Sequence, residues 1–390
     1  MNQKIKYNLP KGFIFILAML GSITPLAVDV YLPAFKNIAN YFYTSIDEVE
    51  ITLSLYLLGF SVGQLIGGPL SDRYGRKIFI FLGLCIYIAF SFFISQSSSI
   101  EQVWIFRFFQ AIGGGFAVVN TNAIVRDVYH GKEAARVFSI ISMIMMIAPM
   151  IAPAIGATIL SFYSWEYIFI FLSIYTICII YFIKKLPETS PKSKNTNVLH
   201  NYKRIFLNKK AILLILSGGF GFSGMFIFIT KSSYIYMDFF AVEAKYFTLL
   251  FGLNVLTLIS FSRLNILFLK TRTTFSLLRL GVTIQLLSAI CLYLLSDYHT
   301  VYSVAFFVML YVGALGFIFA NAIALVLEDF GDISATTNSL YGVIGFIIAS
   351  FVGFLASYFH NNTLNPIFIL MITTSFLSFI ILLYIKISKV

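Results

Sequence analysis

Apolar residues along this chain come in long unbroken runs instead of alternating with polar ones. Twelve runs stand out, at 12–35, 48–70, 77–96, 100–126, 134–162, 165–184, 211–239, 244–269, 275–296, 300–327, 333–359 and 365–387. A helix needs ~20 mostly apolar residues to cross a ~30 Å hydrocarbon layer, and the runs are of that order or longer. Only helices and closed barrels satisfy their backbone groups in lipid. A membrane barrel would alternate at period two, so continuity predicts helices. The expected fold class is an all-α membrane protein with twelve transmembrane helices. One long polar connector, 185–210, contains PETSPKSKNTN and splits the runs six and six. That predicts an N-terminal six-helix bundle over 1–184, a cytoplasmic linker over 185–210 and a C-terminal six-helix bundle over 211–390, the layout of a two-bundle transporter.

Composition removes the soluble alternative. With 59% hydrophobic and 11% charged residues, a chain of 390 residues cannot cover a soluble surface. The net charge of +11 would suit a nucleic-acid partner, but its placement points elsewhere. With the N-terminus set inside, every Lys and Arg except Lys36, Arg107, Lys231, Lys245 and Arg263 falls in a cytoplasmic segment. This positive-inside pattern predicts cytoplasmic N- and C-termini, a lipid bilayer as partner and no nucleic acid. Lys4, Lys6 and Lys11 precede the first run as in a secretory signal. Without a small-residue cleavage site, that run reads as a retained first helix. Cys85, Cys178 and Cys291 lie far apart within apolar runs and form no metal or redox spacing, so they read as packing residues.

Charges inside the runs carry the chemistry. Asp29 is the one acid that these spans place at membrane depth. A charge at a helix centre costs ~2.5–3.5 kcal/mol on insertion scales, so such a residue is expected to face a cavity or a partner. A carboxyl group withdrawn from water favours its neutral form, which makes reversible protonation its natural chemistry. The alternative is that the first helix ends early and Asp29 caps it near the headgroups. Arg107 on the fourth run lies at matching depth, each residue ~10 Å below the outer boundary at ~1.5 Å per residue. A pair between them would let proton binding alter the balance of conformations. The alternative is a structural Arg bonded to backbone carbonyls. Gln110, Gly114 and Thr121 recur near the Arg107 face. Tyr31, Gln110, Thr121 and Lys231 are the candidate residues of a substrate cavity. Lys231 and Asp238 share a face of the seventh run, where Lys231 either binds an anionic group or snorkels to the surface. Gly59, Gly63 and Gly67 in the second run, and Gly345, Ala349 and Gly353 in the eleventh, predict smooth stripes for close helix approach.

The turn between the second and third runs reads GPLSDRYGRK, Gly68 to Lys77, and crowds Asp72, Arg73, Arg76 and Lys77 around Gly75. Glycine there permits a sharp turn. The stretch resembles the G-x-L-[AS]-D-R-x-G-R-[RK] signature of the major facilitator superfamily. VDVYLPAF (Val28 to Phe35) resembles the first-helix motif of the Bcr/CflA drug-resistance transporters within it. RFFQAIGGG (Arg107 to Gly115) with VRD (Val125 to Asp127) resembles their fourth helix. APMIAPAIG, with Pro149, Pro153 and Gly156, resembles the fifth-helix motif of antiporters. The similarity covers most of the N-terminal half and, in the C-terminal half, mainly the layout; it departs at Asn122 and Ala157. It implies the major facilitator fold, contact of the second and eleventh helices across the bundle interface, and a bacterial inner-membrane location. Gly68, Asp72, Arg73, Gly75, Arg76 and Arg126 are then expected to form a cytoplasmic latch. Asp72 would accept from free N–H groups at the start of the eleventh helix, near Asp332 to Ala335. Arg73, Arg76 and Arg126 would pair with Asp127, Glu328, Asp329 or Asp332, holding the inner side shut.

The expected activity is secondary transport by alternating access, with proton entry driving efflux of a small, partly apolar compound such as a drug or antibiotic. One charge crossing 100 mV supplies ~2.3 kcal/mol. A metabolite or siderophore carrier is the alternative within the fold. An enzyme would need a nucleophile–base pair or metal ligands at membrane depth. His130, His200, His299 and His360 lie in loops or at span ends, and no HExxH or GxxxxGK sequence occurs. The expectation is therefore no enzymatic activity, no cofactor or metal, the proton as coupling ion, a small-molecule substrate and a monomer.

Overall fold

The structure, a computed structural model, describes residues 9–10, 12–129, 131–189, 198–295 and 300–388. Among the described residues, 12 helices are long and apolar enough to cross a membrane, and no strand occurs. They are α1 (Phe13–Phe42), α2 (Ile46–Tyr74), α3 (Arg76–Ser95), α4 (Ile100–Val128), α5 (Gly131–Phe162) and α6 (Glu166–Ile183). After the linker follow α7 (Lys209–Phe239), α8 (Ala244–Phe268), α9 (Thr274–Leu294), α10 (Val301–Glu328), α11 (Ser334–Tyr358) and α12 (Asn365–Ser388). Polar residues set several starts. Ser45, Ser99, Asn208, Thr273 and Thr300 cap α2, α4, α7, α9 and α10, each accepting the backbone N–H three residues on.

Three departures from the sequence expectation matter for the site. First, α1 does not stop at residue 35. It breaks after Gly21 and again after Asp29, passes through a 3₁₀ turn at Leu32–Ala34 that accommodates Pro33, and resumes to Phe42. Asp29 therefore stands near the middle of α1, not near its outer end. Second, α2 begins at Ile46, two residues before the expected run, which adds Asp47 to the first turn below Glu50. Third, the connector is not wholly irregular. Val198–Leu207 is a helix whose Ile205 is fully buried, an amphipathic stripe hidden by the polar residues around it.

Within the N-terminal half, α2 and α3 pack along α4, and α3 packs on α6; in the C-terminal half, α7 packs on α11, α12 and α10. The halves meet where α2 crosses α11 and where α5 crosses α8. Ser350 Oγ of α11 donates to the Ser54 carbonyl of α2 at 2.6 Å, and the rings of Phe60 and Phe346 lie 5.0 Å apart. The small-residue stripe of α2 is not part of this crossing. A Cβ on Gly59 would stand 2.2 Å from the Phe108 carbonyl oxygen, and one on Gly63 would stand 2.5 Å from that of Ile112, so these glycines let α4 approach. On α11, Gly353 does face Ser54 of α2, whereas Gly345 faces Phe222 of α7. Cys85 and Cys178 are exposed rather than packed.

Candidate functional site

Arg107 is wholly buried in the N-terminal half. Its Nη1 donates to Gln110 Oε1 at 2.9 Å and its Nη2 to the Ala27 carbonyl at 3.1 Å. Gln110 in turn donates to Ser91 Oγ at 2.6 Å. The guanidinium carbon lies 4.7 Å from the Tyr31 ring centre, 4.5 Å from that of Tyr56 and 5.6 Å from that of Phe169. The break in α1 makes this geometry available, because it places the Ala27 carbonyl and the Tyr31 ring on the cation. A buried cation is thus held by a carbonyl, an amide and three ring faces, with no carboxylate among the described residues bonded to it.

Asp29 is 3% exposed, and its Oδ1 has no hydrogen-bond partner among the described residues. No ion pair joins it to Arg107, so the expected Asp29–Arg107 pair is absent. The guanidinium is taken instead by the carbonyl two residues earlier on α1. Tyr31 and Gln110 do gather around Arg107. Thr121 is buried farther along α4, where its hydroxyl has no partner. With all these groups buried, neither Asp29 nor Arg107 borders an open cavity in this structure. Pro149 and Pro153 lie within a continuous α5, and Gly156 meets the break in α1 so closely that a Cβ would stand 2.0 Å from the Val30 carbonyl oxygen.

Lys231 belongs to a second centre, between the halves. Its Nζ lies 2.5 Å from Asp47 Oδ1 and 2.5 Å from Glu50 Oε2, both on α2. Ser357 of α11 donates to the same Glu50 oxygen at 3.2 Å, and His360 Nδ1 stands 3.9 Å from Asp47. The Tyr234 ring, in the π-helical turn that ends α7, contacts the His360 ring at 4.2 Å. This cluster sits at the end of the molecule opposite the chain termini. Lys231 neither snorkels nor faces Asp238, which pairs at the surface with Lys36 at 3.6 Å. Asp29 is accordingly not the only buried acid, since Glu50 is fully buried too. Asp47 lay just outside the second run at 48–70 and Glu50 was only its third residue, so neither was assigned to membrane depth. Their i, i+3 spacing opposite an unpaired Lys231 was the available signal.

The charged turn lies at the terminal end. Arg76 Nε pairs with Asp127 Oδ2 at 3.2 Å, Arg76 also pairs with Asp72, and its Nη1 donates to Ser71 Oγ at 3.0 Å. Gly75 has φ 115°, a conformation that disfavours any side chain, and a Cβ there would stand 2.8 Å from Glu188 Oε2. That carboxylate accepts the N–H groups of Arg76 and Lys77 at 2.9 and 3.1 Å, capping α3. Lys77 Nζ donates to the carbonyls of Lys184 and Leu186 at 2.8 and 2.9 Å. Arg73 is exposed beside the Tyr74 ring, Gly68 and Arg126 lie at the ends of α2 and α4, and Glu328 and Asp329 are exposed. So the ties of Arg76 and Lys77 run within the N-terminal half and to the start of the linker, not across to Glu328 or Asp329. The side chains of Asp332 and Ala335 lie outside the described residues. From the linker helix, Tyr202 lies near Asp72; burial and that carboxylate push its phenol up.

Residues 17–354 match the Major Facilitator Superfamily. The chain belongs to this superfamily. It is 31% identical over 367 residues to the bicyclomycin resistance protein homolog of Haemophilus influenzae, covering 91% of each chain. It is 26% identical over 380 residues to the chloramphenicol resistance protein of Pseudomonas aeruginosa, covering 95% of this chain and 90% of that one. The fold is similar to that of a D-xylose-proton symporter, with a TM-score of 0.75, 14% identity and 96% of each chain covered. As a major facilitator, the protein is a multi-pass membrane transporter for a small-molecule substrate and not an enzyme.

Proposed function

We propose that this transporter exports small, partly apolar compounds, of the drug and antibiotic kind named by its relatives, in exchange for protons. The observation that carries the reading is Asp29, a buried carboxyl group near the middle of α1 with an oxygen that none of the described residues bonds. Such a group has room to take a proton and little reason to stay charged without one. Its helix is broken beside it, and the Val30 carbonyl is pressed against Gly156 of α5, so a change at Asp29 is well placed to move α1 against α5. Arg107, which donates to the Ala27 carbonyl and lies over the Tyr31 ring, supplies a fixed positive charge beside that break. The distribution of Lys and Arg supports a bacterial inner membrane with both termini in the cytoplasm. The proposed working unit is a monomer.

Transport in proteoliposomes under an imposed pH gradient tests this. The parent should accumulate compounds from a drug panel against their gradient. Asp29→Asn should lose gradient-driven accumulation while keeping downhill exchange. Full gradient-driven accumulation by the Asn variant would remove Asp29 as the coupling site.

A further inference from the structure

The Lys231 cluster has an unbalanced charge count. Two carboxylates, Asp47 and Glu50, face one ammonium. His360 Nδ1 stands 3.9 Å from Asp47, and burial, with the Lys231 ammonium nearby, holds its imidazole below the usual histidine range, which disfavours a second cation. Tyr234 and Ser357 are neutral, and the Lys36–Asp238 pair nearby is exposed and balanced. With both acids ionised, the cluster holds one excess negative charge. Glu50 is the acid that bears it, being fully buried, whereas the Asp47 side chain is 28% exposed. One Glu50 oxygen is shared by Lys231 and Ser357, while Oε1 has no partner among the described residues and is free to carry a proton.

The cluster is also the place where the halves are tied at this end. Asp47 and Glu50 belong to α2, Lys231 and Tyr234 to α7 and its terminal turn, Ser357 to α11 and His360 to the segment just beyond it. Parting the halves here would bring Glu50 into water, where a carboxylate is cheap. Bringing them together buries it, where an unbalanced charge is expensive.

We infer that Glu50 is a second proton site, and that closing the end opposite the termini takes up one proton there. A neutral Glu50 leaves Lys231 with Asp47 alone, a balanced buried pair. Loss of that proton restores the excess charge and favours parting of the halves. Acid therefore favours closure and alkali favours opening at this end. The inference rests on the alternating opening of the two ends, and not on Asp29 as coupling site.

Spin-label distances in lipid test it. Labels are placed at the exposed positions Asn40→Cys and Thr363→Cys, one in each half, with Cys85, Cys178 and Cys291 replaced by Ser. Between pH 8 and pH 5 the ratio of short-distance to long-distance populations should rise, by at most about tenfold per pH unit for one proton. Glu50→Gln should hold the short-distance population high and nearly independent of pH. His360→Gln and Asp29→Asn should keep the pH response. A parent ratio that is flat, or that falls on acidification, overturns the inference without recourse to any variant. So does a parental pH response in Glu50→Gln, or its loss in His360→Gln. Loss in Asp29→Asn with retention in Glu50→Gln would overturn this inference and leave the proposed role of Asp29 standing.

Discussion

Arg107 and Lys231 are both wholly buried, one inside the N-terminal half and the other between the halves. Arg107 is held by neutral groups, namely ring faces, an amide and a carbonyl. Lys231 is held by carboxylates that belong to a helix of the other half. The difference is one of reversibility. Rings, amides and carbonyls do not change charge near neutral pH, so the Arg107 site is fixed. A carboxylate can gain or lose one proton, so the charge balance at the Lys231 site can be shifted without breaking any covalent or packing constraint. In a carrier whose halves must part and rejoin, the first arrangement suits the interior of a moving body and the second suits the seam between bodies.

The strongest way to break this contrast is Lys231→Ala. Removing one partner of a buried ionic group costs about 3–5 kcal/mol, because the remaining charge is left buried and uncompensated. Thermal unfolding in detergent at neutral pH should show a loss of that order. The loss should shrink as the pH falls, since the carboxylates then accept protons, and it should shrink at every pH in Lys231→Ala combined with Glu50→Gln. A loss of equal size at pH 5 and pH 8 would mean that packing, not charge, holds Lys231.

The two regions were not equally legible from the primary sequence. Run lengths placed all twelve helices, because lipid demands a long apolar stretch whatever its partners. Arg107 and Gln110 were recognisable because a charge three residues from an amide inside an apolar run has few other uses. Their partner was misread. Depth arithmetic matched Arg107 to Asp29 as though α1 were a straight helix ending at residue 35, whereas Pro33 and the breaks before it carry α1 to Phe42 and offer a carbonyl first. The Lys231 cluster was illegible for a different reason. Its acids sit in the first turns of α2, where acidic residues are common simply because they suit a helix N-terminus. Only contact with a helix far away in sequence shows that Glu50 is buried. The same limit applies to the glycines of α2, since a small-residue stripe says that something approaches but not which helix does.

Arg107→Lys probes the fixed side of the contrast. Lysine keeps the charge but loses the planar fork that reaches Gln110 and Ala27 together while lying on the Tyr31 and Tyr56 faces. A loss of about 2 kcal/mol in folding stability is expected, the scale of a desolvated ring contact or of one hydrogen bond to a charged group. Because no carboxylate is bonded to Arg107, the loss should be the same at pH 6 and pH 8. A pH-dependent loss would show that an acid, Asp29 being nearest along α1, reaches the guanidinium during the transport cycle.

Ser357→Ala should have the smallest effect and is the most selective. The Ser357 hydroxyl stands 3.2 Å from Glu50 Oε2 and 3.4 Å from the Gly353 carbonyl, so its bond to the carboxylate is shared and at the weak end of its class. A cost of about 1 kcal/mol follows, roughly a fivefold change in an equilibrium constant. That bond joins α11 to α2, so it exists only while the halves are together at this end, and its loss should fall on the closed form alone. The distance measurement with labels at Asn40 and Thr363 should show the short-distance population reduced about fivefold relative to the long one. Arg107→Lys, which acts within one half, should leave this ratio unchanged. Should Ser357→Ala lower folding stability without moving the population ratio, the carboxylate bond would not be part of the closure, and Glu50 would be held in the same surroundings whether the halves are joined or parted.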